Sequence, residues 1–136
     1  MFETFEHTAD VGLRIRAVTL ESLFAEAARG LFSLIVPNLD SIADRQSVNI
    51  KMDGSDHDYL MFDWLNELLY QYEVKHLLLG HFDVRMATGG LLAVARGELV
   101  DINRHELDHE VKAITYHGLL VEQTTDGWLA ECILDI

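Results

Sequence analysis

Residues 11–19 (VGLRIRAVT) alternate apolar Val11, Leu13, Ile15 and Ala17 with Gly12, Arg14 and Arg16. Period two with polar positions between predicts a strand with one wet face. The period then changes. Thr19 is suited to cap a helix whose apolar positions are Leu20, Leu23, Phe24, Ala27, Ala28, Leu31 and Leu34, and Pro37 ends it. A stripe of that width is core packing rather than a ligand groove.

A polar connection (38–47) leads to a short strand at 48–54 (VNIKMDG). Ser55 is placed to cap a second helix, with Asp58 near its positive end and Met61, Trp64, Leu65, Leu68, Leu69 and Tyr72 facing inward. Short strand-like runs follow: HFDVRMA and LLAVARGEL with a Gly89-Gly90 turn between them, then VKAITYH, LLVEQ and WLAECILDI, with Asp126-Gly127 as a hairpin turn. No repeat or linker divides the chain. The order predicts an α+β fold, two amphipathic helices packed on one mixed or antiparallel β-sheet, in a single compact domain over 1–136.

Composition narrows the chemistry. A chain of 136 residues, 49% hydrophobic, supports one core without staples. Its single cysteine, Cys132, excludes an internal disulfide and a Cys-rich zinc site, and reads as a small core residue, as do Trp64 and Trp128. The opening MFETFEHTAD carries early acids and neither a basic nor an apolar leader segment, so no signal peptide is expected. No apolar run approaches the roughly 20 residues a membrane span needs, and a cytoplasmic protein is expected. With 23 Asp and Glu against 10 Lys and Arg, the net charge is −13, which repels phosphate backbones and favours cations and basic protein surfaces.

HELDH (105–109) fits H-E-x-x-H, in which two histidines one helical turn apart hold zinc and the glutamate acts as general base. That reading would make the protein a metal-dependent hydrolase working through His105, Glu106 and His109. Its setting argues otherwise: VDIN before it is extended or turn-like, alternating VKAITYH follows, and the short segment between has no apolar face. A charged loop is expected there.

HTADVGLRIRAVTLESLFAEAARGLF (7–32), WLNELLY (64–70), RHELDHEVKAITYH (104–117) and GWLAECILDI (127–136) together resemble the archease family, across nearly the whole chain and in order. The departures, Cys132 and Leu134, touch packing only. The resemblance implies a protein that is not an enzyme. It implies an accessory protein of the RNA-splicing ligase, which seals 2′,3′-cyclic-phosphate and 5′-hydroxyl RNA ends in tRNA splicing and repair. The accessory protein promotes guanylylation and repeated turnover of that ligase. RNA is then met only through the ligase.

The resemblance also implies a metal site, usually calcium, carried here by Asp10, Asp135 and the α-carboxylate of Ile136. Carboxylates brought together repel, and hard oxygen donors favour Ca²⁺, Mg²⁺ or Mn²⁺ over zinc. Lys112 could orient a carboxylate or a nucleotide phosphate, and His7 and His117 fall inside matched motifs. The alternative function is a metal-binding, chaperone-like module with other clients.

Overall fold

The computed structural model describes residues 1–7 and 10–136, His7 by its backbone alone. The chain runs β1 (Phe2–His7), β2 (Asp10–Ala17), α1 (Leu20–Ile35), a 3₁₀ turn (Leu39–Ser41), β3 (Gln46–Asp53), α2 (His57–Glu73), β4 (Leu77–Ala87), β5 (Gly90–Leu99), β6 (Ala113–Thr124) and β7 (Gly127–Asp135). The α+β class holds, with two helices on antiparallel strands. The strands form two sheets rather than the single expected one: β1-β2-β7-β6 and β3-β5-β4. Sheet membership depends on pairings between distant segments, which local periodicity does not encode.

Helix α1 joins the two layers, packing on β2 of one sheet and β4 of the other. Such a helix must be apolar on more than one stripe, and Leu23, Phe24, Ala27, Ala28, Leu31 and Phe32 are all fully buried. Thr19 caps it, its hydroxyl accepting the Ser22 N–H at 3.1 Å. Val36 ends it in an extended conformation, as the residue before a proline prefers.

Helix α2 packs on β6 and β4. Its cap is Asp56, not Ser55: the Asp56 carboxylate accepts from the N–H groups of Asp58 (2.9 Å) and Tyr59 (3.3 Å). Asp58 faces elsewhere, accepting the Val121 N–H of β6 at 2.7 Å. Trp64 binds the helices together, its indole N–H donating to the Phe24 carbonyl at 2.9 Å in the core.

Several boundaries move. β1 had no counterpart in the pattern because both its faces are partly wet. β4 starts earlier than HFDVRMA, since Leu77–Leu79 are buried in succession and a register irregularity at Leu79/His81 breaks the alternation. VKAITYH and LLVEQ are largely one strand, β6, with an irregularity between Thr115 and Leu120. The hairpin turns fall one residue early, at 88–89 and 125–126, with Gly90 and Gly127 already in strands.

Candidate functional site

Asp10 opens β2 and Asp135 closes β7, and the two are direct partners in the antiparallel ladder. On the other side of β7, Ala113 pairs with Asp135, and the Lys112 N–H donates to the Asp135 carbonyl at 2.7 Å. One end of the four-stranded sheet thus gathers Asp10, Asp135, Ile136 and Lys112. Both aspartates and Ile136 are half-buried, and Lys112 is exposed.

Side chains directly opposite in such a ladder lie about 5 Å apart at Cβ, and like charges so placed destabilise the pair. Among the described residues no cluster of three or more His, Cys, Asp or Glu side chains stands ready to hold a metal ion. The set implied by the family resemblance therefore has two side-chain carboxylates and draws its third oxygen group from Ile136. These donors are all hard oxygens, which suits an alkaline-earth cation.

The remaining candidates fall elsewhere. The HTAD motif is only partly visible: the His7 side chain, Thr8 and Ala9 lie outside the described residues. His117 is exposed in the irregular segment between Thr115 and Leu120.

HELDH forms no helix and lies in the loop between β5 and β6. Its histidines are separated in role. His109 is exposed, with Asp108 3.8 Å away, while the Asp108 and His109 N–H groups donate at 2.9 Å to Ile35 and Leu34 at the end of α1. His105, expected in a charged loop without a core contact, is instead buried. Its Nδ1 accepts the Asp101 N–H at 2.9 Å, and its Nε2 donates to Glu98 at 3.0 Å. Both ring nitrogens are engaged within the protein, so this imidazole is a structural group.

Glu98, buried in β5, is the hub of that cluster. It pairs with Arg104 and with Arg45 (3.3 Å), and it accepts the Ala43 N–H at 2.6 Å. Arg104 above all, helped by the Ala43 N–H and His105, outweighs burial and holds the carboxyl down to about 2. Its sequence signal was an acid set inside the apolar run LLAVARGELV.

A second overlooked group is Tyr59 of α2 and Tyr116 of β6, whose rings stack 5.1 Å apart at 24° while remaining exposed. Tyr116 would share the inward side of Ile114 in an unbroken strand. The irregularity after Thr115 turns it outward.

The chain matches the Archease protein family (MTH1598/TM1083) over residues 2–136. It is 39% identical over 139 residues to Protein archease of Methanopyrus kandleri, covering 99% of each chain. It is likewise 39% identical over 140 residues to Protein archease of Pyrococcus furiosus, covering 99% of this chain and 98% of that one. Its fold is similar to the solution structure of Methanobacterium thermoautotrophicum protein 1598, with a TM-score of 0.84 at 29% identity, over 99% of this chain and 98% of that one. With two layers joined by α1 and a match this complete, the chain belongs to the archease family.

Proposed function

We propose that this protein is a non-enzymatic accessory protein of an RNA-splicing ligase, promoting its guanylylation and multiple turnover. In this reading it carries a calcium site built from Asp10, Asp135 and the Ile136 carboxylate. The observation that carries the site is the ladder pairing of Asp10 with Asp135, which sets two carboxylates side by side at one sheet end. A bound cation would offset their repulsion and present a positive centre on an otherwise acidic surface. Lys112, tied through its backbone to Asp135, stands beside that centre and can hold a carboxylate or phosphate oxygen. The net charge of −13 suits docking on the basic surface that an RNA-binding enzyme must have.

The test is multiple-turnover ligation by the ligase of the same organism, with and without this chain, beside calorimetric titration with Ca²⁺ and Mg²⁺. Stimulation is expected from the wild type. Asp10→Asn and Asp135→Asn are expected to lose both calcium binding and stimulation. Absence of stimulation by the wild type would overturn the ligase role. Equal calcium binding by wild type and Asp135→Asn would exclude the site. Tight calcium binding without stimulation would instead favour a chaperone-like module.

A further inference from the structure

Helix α2 and strand β6 carry between them neither lysine nor arginine. Where they meet, Tyr59 and Tyr116 are 58% and 42% exposed, far more than tyrosines that serve packing. The two rings stack on each other, and Phe62 braces Tyr116 edge-on at 5.4 Å. This pair is preorganised, since its faces are held before any partner arrives.

Carboxylates surround it. Asp56 caps α2 and Asp58 lies in its first turn, and Asp63 is exposed one turn beyond Tyr59 on the same helix face. The positive helix end amounts to about half a charge, so it does not balance these acids. Their field is felt at Tyr116. Its phenol is pushed up to about 12, first by desolvation among its neighbours, then by Tyr59, then by Asp56 and Asp58.

Flat electron-rich rings beside carboxylates suit a guanidinium, which stacks on the ring and donates to the acids in one plane. Phosphate is disfavoured by the same acids. We propose that the Tyr59–Tyr116 stack, with Asp56 and Asp58 at its rim, is a docking surface for an arginine-bearing segment of a cationic partner protein. In the RNA-ligase reading, on which the partner's identity rests, that segment belongs to the ligase's RNA-binding surface. The surface lies on β6 a few residues from Ala113, the ladder partner of Asp135, so one partner could span both.

The test has two arms. In the first, the isolated full chain is titrated with an Arg-Gly repeat peptide, its Lys-Gly counterpart and a short single-stranded RNA, followed by amide and ring resonances. Shifts are expected at Tyr59, Tyr116 and Gly118, with the arginine peptide several-fold tighter than the lysine one. In the second arm, affinity for the ligase is measured for variants. Tyr59→Ala/Tyr116→Ala is expected to weaken it about tenfold or more with calcium binding unchanged, whereas Tyr59→Phe/Tyr116→Phe retains it. Asp56→Asn/Asp58→Asn keeps both oxygen acceptors and removes two charges, so it serves as the folded control. It is expected to weaken binding several-fold and flatten its salt dependence.

No peptide shift at the tyrosines, ligase affinity of the alanine pair within twofold of wild type, RNA occupying the stack, or a homodimer sealed by it would each overturn the proposal. If the wild type fails to bind the ligase at all, the ligase reading falls, and the peptide arm alone judges the surface.

Discussion

His105 and Glu98 hold each other in the protein interior, the imidazole Nε2 donating to the carboxylate at 3.0 Å. Because Nδ1 already accepts the Asp101 N–H, the ring is fixed as its neutral Nε2–H tautomer. The carboxylate's charge is balanced instead by Arg104 and Arg45.

That arrangement predicts a pH dependence of stability. The Glu98 carboxyl is held down to about 2 in the folded protein. An unfolded glutamate titrates near about 4.3, so the native state binds fewer protons between the two values. The stabilisation is present above the unfolded value and is lost as pH falls toward the folded one. Its size is about 2–3 kcal/mol. Urea midpoints taken across this range should fall more steeply for the wild type than for Glu98→Gln. Parallel curves would show that the cluster contributes no such linkage.

Trp64→Phe should destabilise the protein by about 1–3 kcal/mol, because the buried Phe24 carbonyl loses its donor while most of the ring volume is kept. Equilibrium urea unfolding reads this directly. A loss below about 0.5 kcal/mol would mean that the carbonyl finds another donor.

Two glycines should respond to substitution with very different costs. A Cβ on Gly97 would lie 1.8 Å from the Leu78 carbonyl oxygen, a clash with backbone of the neighbouring strand. Gly97→Ala is therefore expected to cost about 3 kcal/mol or more, or to leave the protein insoluble. Gly118, at φ +67° with open space around it, should accept asparagine at about 1 kcal/mol or less. Thermal unfolding of both variants checks the contrast.

Cys132 faces Leu13 across the β2–β7 ladder, and burial pushes its thiol up to about 12. A thiol reagent at mildly alkaline pH should label it at least about 100-fold more slowly than an exposed cysteine. Urea should raise the rate together with unfolding. If calcium bridges Asp10 and Asp135, it should slow labelling further, since it clamps the same two strands. Rapid labelling in the native state would contradict the burial.

Legibility in the sequence followed the range of the interactions. Leu13 and Ile15 declared a strand and Leu23 to Leu34 a helix, because burial on one face writes its period locally. β1 wrote none. The Phe5 ring occupies the place a Cβ would take on Gly12, so part of the signal lay in the partner strand's glycine. The Ser55-to-Asp56 shift of the α2 cap reflects two adjacent residues equally able to accept the first N–H groups. For the candidate site, the family resemblance named Asp10 and Asp135, and only the ladder register brought them opposite each other. His105 was misjudged because its burial depends on Glu98 and two arginines, which no pattern of apolar positions announces.

The place of β7, between β2 and β6, has a consequence for a chain still emerging from the ribosome. Until β7 is made, nothing bridges β2 and β6, the apolar sides of Leu13 and Ile15 lack part of their cover, and Asp10 faces no second carboxylate. The Asp10–Asp135 pairing at that sheet end thus forms only once β7 has been made. A copy cut short before β7 leaves the facing edges of β2 and β6 unpaired, and such edges invite pairing with other chains.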